Sequence, residues 1–169
     1  MCAERVSPCC LGRSNNTACI CYLLQQQHGQ RTYVGFTACA SPWRRLAQHN
    51  GELVGGAATT ATGRPWRVVC FVTGFLWANV ALQFERAWQR GRGLRWLRAT
   101  LSKEEERRGV RGKLQVLHHL LRSFRWRPYN LCIHVVRPET AARAAEHRRF
   151  ALHCHDLSAW RHVRLVSHT

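Results

Sequence analysis

The sequence predicts an α+β fold in which a small central β-sheet is flanked by helices and followed by a C-terminal helical extension. Short apolar runs at 20–24 and 32–36 are joined by a polar link that contains Gly29, a pattern typical of a β-hairpin. A nearly continuous run of β-branched and aromatic residues at 66–73 is typical of a strand inside a sheet. Segments with apolar residues at three- and four-residue spacing predict the flanking helices.

The first helix is predicted directly after the hairpin, over residues 43–50. A Ser-Pro pair precedes it, and this pair suits a helix start because serine caps free N–H groups and proline fits the first helical position. Arg45 and His49 are four residues apart and therefore share one face of this helix. Together with Tyr22 and Tyr33 on the hairpin, they form a constellation suited to phosphodiester cleavage.

A second helix is predicted at 77–90, after the 66–73 strand and beyond a loop at 51–65 that is rich in Gly, Thr and Ala. Glu85 lies at the border of the apolar stripe of this helix. A carboxylate beside aromatic side chains loses hydration, so a cation or metal is expected to compensate its charge. The stripe consists of Trp77, Ala81, Phe84 and Trp88.

Three regions are expected along the chain, since 169 residues are enough for one compact domain and an appendage. Residues 1–17 lack periodicity and are interpreted as a flexible leader. The strands and helices described above fall within 18–98, and 99–169 is interpreted as a basic, mostly helical extension. Its predicted elements are a helix at 103–123 that begins with a capping box, a strand at 129–136 and a short helix at 139–150.

The charge of the chain points to a polyanionic partner. The formal net charge is +17 and the pI is about 11.1. Nucleic acid is the favoured partner, with an anionic membrane surface or a merely solvated basic face as the alternatives. Lys103 and Lys113 are the only lysines, and arginine favours close phosphate contact. No signal peptide or membrane span is expected, because the most apolar window, 68–82, is too short to cross a bilayer.

The nine cysteines are interpreted as free thiols in a reducing compartment. A zinc site built from Cys9, Cys10, Cys19 and Cys21 is disfavoured, since adjacent cysteines are poorly spaced for one tetrahedral ion. The His153-Cys154-His155 segment is interpreted as an ordinary polar tail, with a partial metal site as the alternative.

Several ordered segments across residues 18–90 resemble the GIY-YIG nucleases, and specifically the Slx1 branch of structure-specific endonucleases. A single short motif would carry little information, but their order along the chain is specific. The segments are Cys21-Tyr22, Y-V-G-F-T at 33–37, R-R-L-A-Q-H-N-G at 44–51, G-G-A at 55–57, G-R-P-W-R at 63–67, G-F at 74–75 and A-L-Q-F-E-R-A-W-Q at 81–89.

The resemblance implies a Mg²⁺-dependent endonuclease that acts on branched or flapped DNA, with Mn²⁺ as the other candidate cofactor. It implies that Glu85 is the metal ligand and that Arg45 stabilises charge on the scissile phosphate. Tyr33 would deprotonate or orient the attacking water, and Tyr22 would hydrogen-bond nearby. His49 would orient groups or shuttle a proton, with a purely structural role as the alternative.

Acidic residues are scarce around this predicted site. Between residues 10 and 98 the only acids are Glu52 and Glu85, too few for a cluster that holds two metal ions. A single Mg²⁺ held by Glu85, phosphate and water is what such a site allows.

Six arginines are expected to contact DNA. The 86–98 stretch interleaves arginines with Trp88 and Trp96, which suggests phosphate contact and base stacking. Tryptophans at helical spacing are more often part of a core, so the two indoles are interpreted as core residues. The predicted contacts are Arg44, Arg64, Arg67, Arg90, Arg92 and Arg95.

The Slx1 branch normally continues into a cysteine-rich, zinc-binding RING-like domain that docks on a scaffold protein. After Cys70 only Cys132 and Cys154 remain in this sequence, so a scaffold or regulatory partner is expected to bind another surface. The expected location is the nucleus, or the host nucleus for a viral protein. The alternatives are a catalytically idle nucleic-acid-binding module with the same fold, and an interaction protein in which the domain supports the basic C-terminal region.

Overall fold

The structure is a computed structural model whose described residues are 19–38, 42–103, 109–129, 131–136 and 164–165. The strands are β1 (Cys19–Gln26), β2 (Thr32–Thr37), β3 (Trp66–Phe75), β4 (Cys132–Val135) and β5 (Arg164–Leu165). The helices are α1 (Pro42–Asn50), α2 (Ala58–Ala61), α3 (Ala78–Arg90), α4 (Arg95–Arg98) and α5 (Val110–Arg122), with a 3₁₀ turn at Gly91–Gly93.

The sheet has the strand order β2-β1-β3-β4-β5, which places β1, β3 and β4 in its interior. The pairs β2-β1, β1-β3 and β3-β4 are antiparallel, whereas β4-β5 is parallel. In this register Tyr22 of β1 lies opposite Gly35 of β2 and opposite Phe71 of β3. The predicted α+β fold, the hairpin and the interior strand are confirmed.

Alternation along β1 assigns its side chains to two cores, because successive residues of a strand point to opposite faces. Leu23 packs in the core beneath α3 and α5, whereas Tyr22 and Leu24 pack in a second core against Leu46 of α1. Tyr22 therefore faces the helix that carries the predicted arginine and histidine. The larger core includes the buried side chains of Phe84, Trp88, Leu117, Leu120 and Trp126.

Helix α3 confirms most of the predicted apolar stripe. Ala81, Phe84 and Trp88 are fully buried. Trp77 is the exception, since 62% of it is exposed and its extended backbone precedes the first helical residue. Its inclusion in the stripe was wrong, because an extended residue before the helix does not follow the helical spacing.

Two other predicted bounds differ from the structure. Helix α5 begins at Val110 rather than near residue 103, because Gly109 has a φ of 89°, in the left-handed region that a helix does not continue through. The 51–65 segment is not wholly a loop, since it contains the short helix α2. Residues 104–108, the predicted helix at 139–150 and the 1–17 leader lie outside the described residues.

Residues beyond 98 contribute to the same cores as the hairpin. Helix α5 packs against α3, and β4 adds a strand beside β3. Cys19, Cys21, Cys70 and Cys132 are buried, and burial raises the pKa of Cys70 to about 12. Among the described residues, no helix combines the length and apolar character that a bilayer span requires.

Candidate active site

A chain of hydrogen bonds links β1 to α1 and then to α2. Tyr22 Oη lies 2.8 Å from His49 Nε2, and His49 Nδ1 lies 2.7 Å from Thr60 Oγ1. All three residues are almost completely buried, with exposures of 1%, 0% and 0%. Buried polar groups of this kind are stable only when they are hydrogen-bonded, so each residue of the chain depends on the next.

The Thr60 end of this series of hydrogen bonds determines where the protons lie on His49 and Tyr22. Thr60 Oγ1 lies 2.8 Å from the carbonyl oxygen of Ala57, which can only accept, so the threonine hydroxyl donates there. Thr60 Oγ1 must then accept from Nδ1–H of His49. The remaining nitrogen, Nε2, is unprotonated in the neutral ring and accepts the phenolic proton of Tyr22.

His49 stays neutral at physiological pH. Its burial, assisted by the positive charge of Arg45, lowers its pKa from 6.5 to about 4. Burial raises the pKa of Tyr22 well above 10, although the hydrogen bond and charge of Arg45 oppose this shift. The resting pair is therefore a neutral phenol that donates to a neutral imidazole.

Arg45 is held over this pair by contacts with three acceptors. Its Nε lies 3.3 Å from Tyr22 Oη, and its Nη1 lies 2.8 Å from both Gln48 Oε1 and the carbonyl oxygen of Gly55. Within the described residues these contacts use Nε and Nη1, which leaves Nη2 for a phosphate oxygen. The guanidinium is thus positioned before any substrate arrives.

Tyr33 and Glu85 complete the site from the other side. The ring centroid of Tyr33 lies 4.9 Å from that of His49 and 6.4 Å from that of Tyr22. The pKa of Tyr33 is raised by burial and then by the negative charge of Glu85, so the carboxylate acts on this tyrosine electrostatically. Burial also raises the pKa of Glu85 itself, and Arg86 partly opposes this.

Gln89 connects Glu85 to the hairpin. Its Nε2 lies 3.0 Å from Glu85 Oε1 and 3.0 Å from the carbonyl oxygen of Val34. The amide therefore ties α3 to β2 and holds one carboxylate oxygen. The other carboxylate oxygen is left for a cation.

The loop that carries Thr60 is attached to α1 and β3 by further hydrogen bonds. Trp66 Nε1 donates to the carbonyl oxygen of Thr60 at 2.9 Å. The Asn50 amide accepts from the Trp66 backbone N–H at 2.7 Å and donates to its carbonyl oxygen at 3.2 Å. Arg64 Nε donates to the carbonyl oxygen of His49 at 2.8 Å.

The structure brings Tyr22, Arg45 and His49 into one hydrogen-bonded unit and places Tyr33 and Glu85 beside it. Sequence analysis missed Thr60 and Gln89. Thr60 lies in a segment without periodicity, and no local pattern distinguishes it from the neighbouring threonines. Gln89 lies one turn after Glu85, a spacing at which side chains meet, and that spacing was the available signal.

The six arginines expected to contact DNA are in different environments. Arg44 and Arg95 are exposed, and Arg90 is exposed beside a cleft on α3. The other three donate hydrogen bonds within the protein, which reduces their freedom to turn toward a phosphate. Their acceptors are the His49 carbonyl for Arg64, the Gln25 side chain at 2.6 Å for Arg67 and the Leu101 carbonyl for Arg92.

The donor set suits a single hydrated divalent cation. Within the described residues no group of three or more His, Cys, Asp or Glu side chains is placed to hold a metal ion. Mg²⁺ in phosphate-processing sites commonly binds one or two carboxylates and keeps several waters. The half-buried carboxylate of Glu85, whose pKa is raised by lost hydration, fits that role.

Comparisons with known proteins identify the domain that carries this site. Residues 18–94 match the family model described as the GIY-YIG catalytic domain. Structure-specific endonuclease subunit slx1 of Schizosaccharomyces pombe is 40% identical over 116 residues, which are 67% of this chain and 42% of that protein. The slx1 subunit of Aspergillus terreus is 42% identical over 123 residues, which are 67% of this chain and 31% of that protein.

A third relative, SLX1 homolog 1 of Trypanosoma cruzi, is 36% identical over 121 residues, which are 71% of this chain and 22% of that protein. The chain thus spans less than half the length of these curated relatives. Residues 18–94 contain β1, β2, β3, α1 and α3, the elements that carry the site described above. Residues 18–94 therefore form a domain of the GIY-YIG family, and the chain that carries this domain is similar to the Slx1 subunits.

Proposed function

We propose that this chain is a structure-specific DNA endonuclease that hydrolyses phosphodiester bonds in branched or flapped DNA with the help of Mg²⁺ or Mn²⁺. The observation that carries the proposal is the series of hydrogen bonds from Arg45 through Tyr22 to His49, together with the electrostatic effect of Glu85 on the tyrosines. It joins a proton acceptor, a fixed cation and a candidate metal ligand in one site, as phosphodiester hydrolysis requires.

Tyr22 and His49 act as a proton relay in this proposal. Tyr22 has too high a pKa to lose its proton to solvent, but His49 Nε2 accepts that proton at 2.8 Å. As Tyr22 takes a proton from the attacking water, it passes its own proton to His49. The low pKa of His49 means that this imidazolium forms only transiently and returns the proton readily.

Tyr33 orients the water rather than accepting its proton. Tyr33 is less deeply buried than Tyr22, and its pKa is raised by burial and by Glu85. It therefore remains a phenol and can donate to the attacking water or to a phosphate oxygen. This differs from the sequence-based expectation that Tyr33 deprotonates or orients the water, since the proton acceptor that we describe lies beside Tyr22.

Arg45 and Glu85 provide the electrostatic part of the reaction. Nη2 of Arg45 stabilises the charge that develops on the phosphate oxygens. A divalent cation bound to Glu85 would add Lewis-acid stabilisation of the phosphate and leaving oxygen. Gln89 keeps the carboxylate pointed into the site through its bond to Oε1.

The names of the relatives support a substrate class and a partner. Those proteins are described as structure-specific endonuclease subunits, which supports branched or flapped DNA as the substrate and a second subunit as a partner. The net charge of +17 supports a polyanionic substrate. We place the activity in DNA repair, recombination or the processing of replication intermediates, and hence in the nucleus, or the host nucleus for a viral protein.

A scaffold or regulatory partner would use a surface other than a RING domain in these 169 residues. A RING requires two cross-braced zinc ions, and only two cysteines follow Cys70 in this sequence. The exposed apolar side chains of Leu76 and Trp77 belong to the surface on which such a partner could bind.

The experiment that tests the function is cleavage of labelled 5′-flap, Holliday-junction and linear duplex DNA, with Mg²⁺, Mn²⁺ or EDTA. Wild type is compared with Glu85→Gln and with Glu52→Gln, a matched control that neutralises an exposed carboxylate in the 51–65 loop. We expect cleavage of branched DNA that requires metal, a loss of at least 100-fold in Glu85→Gln and little change in Glu52→Gln.

DNA binding is measured in EDTA for the same proteins. Glu85→Gln should bind at least as tightly as wild type, because the variant removes a negative charge from the DNA-facing site. Tight binding without cleavage by wild type, even with a candidate partner present, would instead support the idle nucleic-acid-binding module.

A further inference from the structure

A second basic site lies on α3, on a side of the helix away from Glu85. It is a cleft of about 130 Å³ between α3, the α4 region and the turn that follows α5. Its lining includes three arginines, contributed by two separate segments of the chain, together with two tryptophans. These residues are Arg86, Arg90, Arg125, Trp96 and Trp126.

Among the described residues no acid lines the cleft, and of its three arginines only Arg86 has an acidic neighbour, Glu85. Glu52 and Glu85 are the only acids in that part of the chain, and neither lines the cleft. Arg86 and Arg90 are one turn apart, a spacing at which like charges repel. An anion in the cleft would relieve this repulsion, so the charge favours a ligand that carries phosphate.

The third arginine is already ordered. Arg125 Nη2 lies 2.8 Å from the side-chain oxygen of Gln83, and its guanidinium carbon lies 5.4 Å from the centre of the Trp126 ring. This contact with an indole and a fixed hydrogen bond hold the planar guanidinium in place, which lowers the entropic cost of binding.

The aromatic residues of the cleft favour a nucleotide over a simple anion as its ligand. Trp126 is buried beneath Arg125, whereas Trp96 remains partly exposed at the cleft. Flat aromatic and guanidinium surfaces stack on unpaired bases, whose faces are hidden inside a duplex. A cleft of about 130 Å³ is smaller than the roughly 300 Å³ at which drug-sized pockets begin, so it can enclose only part of one nucleotide and has no room for a duplex.

We propose that this cleft binds one nucleotide of a single-stranded DNA arm, with its phosphate between Arg90 and Arg125 and its base against Trp96. The proposal rests on the proposed function, because it assigns the unpaired arm of the branched substrate to a surface outside the cleavage site. Glu85 and Arg86 are neighbours on α3 and point about 100° apart, so one helix presents both sites to one DNA molecule.

The test measures DNA binding in EDTA by fluorescence anisotropy, so that no cleavage is needed. Each protein is titrated with a blunt duplex and with the same duplex carrying a ten-nucleotide single-stranded arm. The cleft variant is the double substitution Arg90→Ala with Arg125→Ala. Its charge-matched control is Arg111→Ala with Arg122→Ala, two exposed arginines of α5 that do not line the cleft.

We expect wild type to bind the armed duplex more tightly than the blunt duplex. In the cleft variant, the ratio of the affinities for the armed and the blunt duplex should fall at least fivefold. Its affinity for the blunt duplex should stay within twofold of that of the control variant. Trp96→Ala should also reduce the difference, whereas the control variant should keep it. Equal losses on both DNAs in the cleft and control variants would overturn the proposal, because they would show a diffuse charge effect.

Competition separates a nucleotide site from a general anion site. Unlabelled oligothymidine should displace the arm from wild type but have little effect on the cleft variant. Equal displacement by polyglutamate of the same charge would overturn the nucleotide assignment in favour of acidic peptide. Failure of the proposed nuclease function can be distinguished from failure of the cleft proposal. A wild-type protein that cuts no DNA could still bind the armed duplex more tightly, and an active nuclease could bind both duplexes equally.

Discussion

Tyr22 and Gly35 lie directly opposite each other in β1 and β2, and a Cβ on Gly35 would come within 2.5 Å of Tyr22 Oη. The same Cβ would lie 2.7 Å from the Tyr33 ring. The glycine therefore provides the space in which both phenols approach Arg45 and His49. Its function is steric, since no positive φ is recorded for it.

Gly35→Ala should lower activity more than stability. Overpacking costs about 1–3 kcal/mol of unfolding free energy, whereas displacing Tyr22 by an ångström should lower kcat about 100-fold. Gly29→Ala is the control in the same hairpin, because its Cβ would meet only the flexible end of Gln26. Chemical denaturation and single-turnover cleavage measure the two effects. Near-wild-type cleavage by Gly35→Ala would contradict the steric role.

Tyr22→Phe and Tyr33→Phe should have unequal effects. Tyr22→Phe removes the group that exchanges protons with His49, so the cleavage rate should fall about 10²–10⁴-fold, the usual range for lost general-base catalysis. Tyr33→Phe should cause a smaller loss, because a phenol that only orients water is partly replaced by solvent. Single-turnover rates with saturating enzyme measure both variants, and a larger loss in Tyr33→Phe would refute the relay.

Thr60 acts as a positioning residue that selects the His49 tautomer. Thr60→Val removes the acceptor for Nδ1–H, so the proton should redistribute between the ring nitrogens and cleavage should fall at least tenfold. Thr60→Ser keeps the hydroxyl and should restore most of the rate. Nitrogen chemical shifts of His49 report the tautomer directly. An unchanged tautomer in Thr60→Val would show that the threonine has only a packing role.

The folded protein should lose stability as the pH falls from about 6.5 toward 4. His49 has a folded-state pKa of about 4 and an ordinary value of 6.5, so within this window the unfolded chain binds the proton and the folded chain does not. The free energy of unfolding should therefore fall by on the order of 1 kcal/mol per pH unit. Urea denaturation at several pH values measures this slope.

His49→Gln is the control for that slope. It removes the titrating ring while Glu85 and the other acids remain, so the difference between the two proteins isolates His49. The variant should be less stable than wild type at pH 7, but its stability should decline less between pH 6.5 and 4. Equal slopes would show that His49 is not the group responsible.

The sequence was sufficient for the parts of the fold that depend on local pattern. Alternation and β-branched content predicted the hairpin and β3, and the Ser-Pro pair predicted α1. The start of α5 was misplaced because Gly109 interrupts a segment whose apolar spacing is otherwise helical. The segment that contains α2 lacks periodicity, and its four-residue helix depends on hydrogen bonds with His49 and Trp66 that no local pattern indicates.

The candidate site was partly predictable for the same reason. Arg45 and His49 share a helix face by spacing alone, and the motif resemblance pointed to Tyr22 and Glu85. Residue spacing does not show which of the two tyrosines donates its proton to a neighbouring acceptor. That depends on a hydroxyl 11 residues from His49 in the chain, and its hydrogen bond to Ala57 is visible only in three dimensions.

The Asn50 side chain has a consequence for motion. Its amide pairs with both backbone groups of Trp66, as another strand residue would, and so joins the end of α1 to the start of β3. Helix and sheet should then move as one rigid body, while the residues between them bend to admit DNA. Because that segment also carries Gly55 and Thr60, which bind Arg45 and His49, its bending would couple the rate of substrate exchange to the alignment of these two side chains.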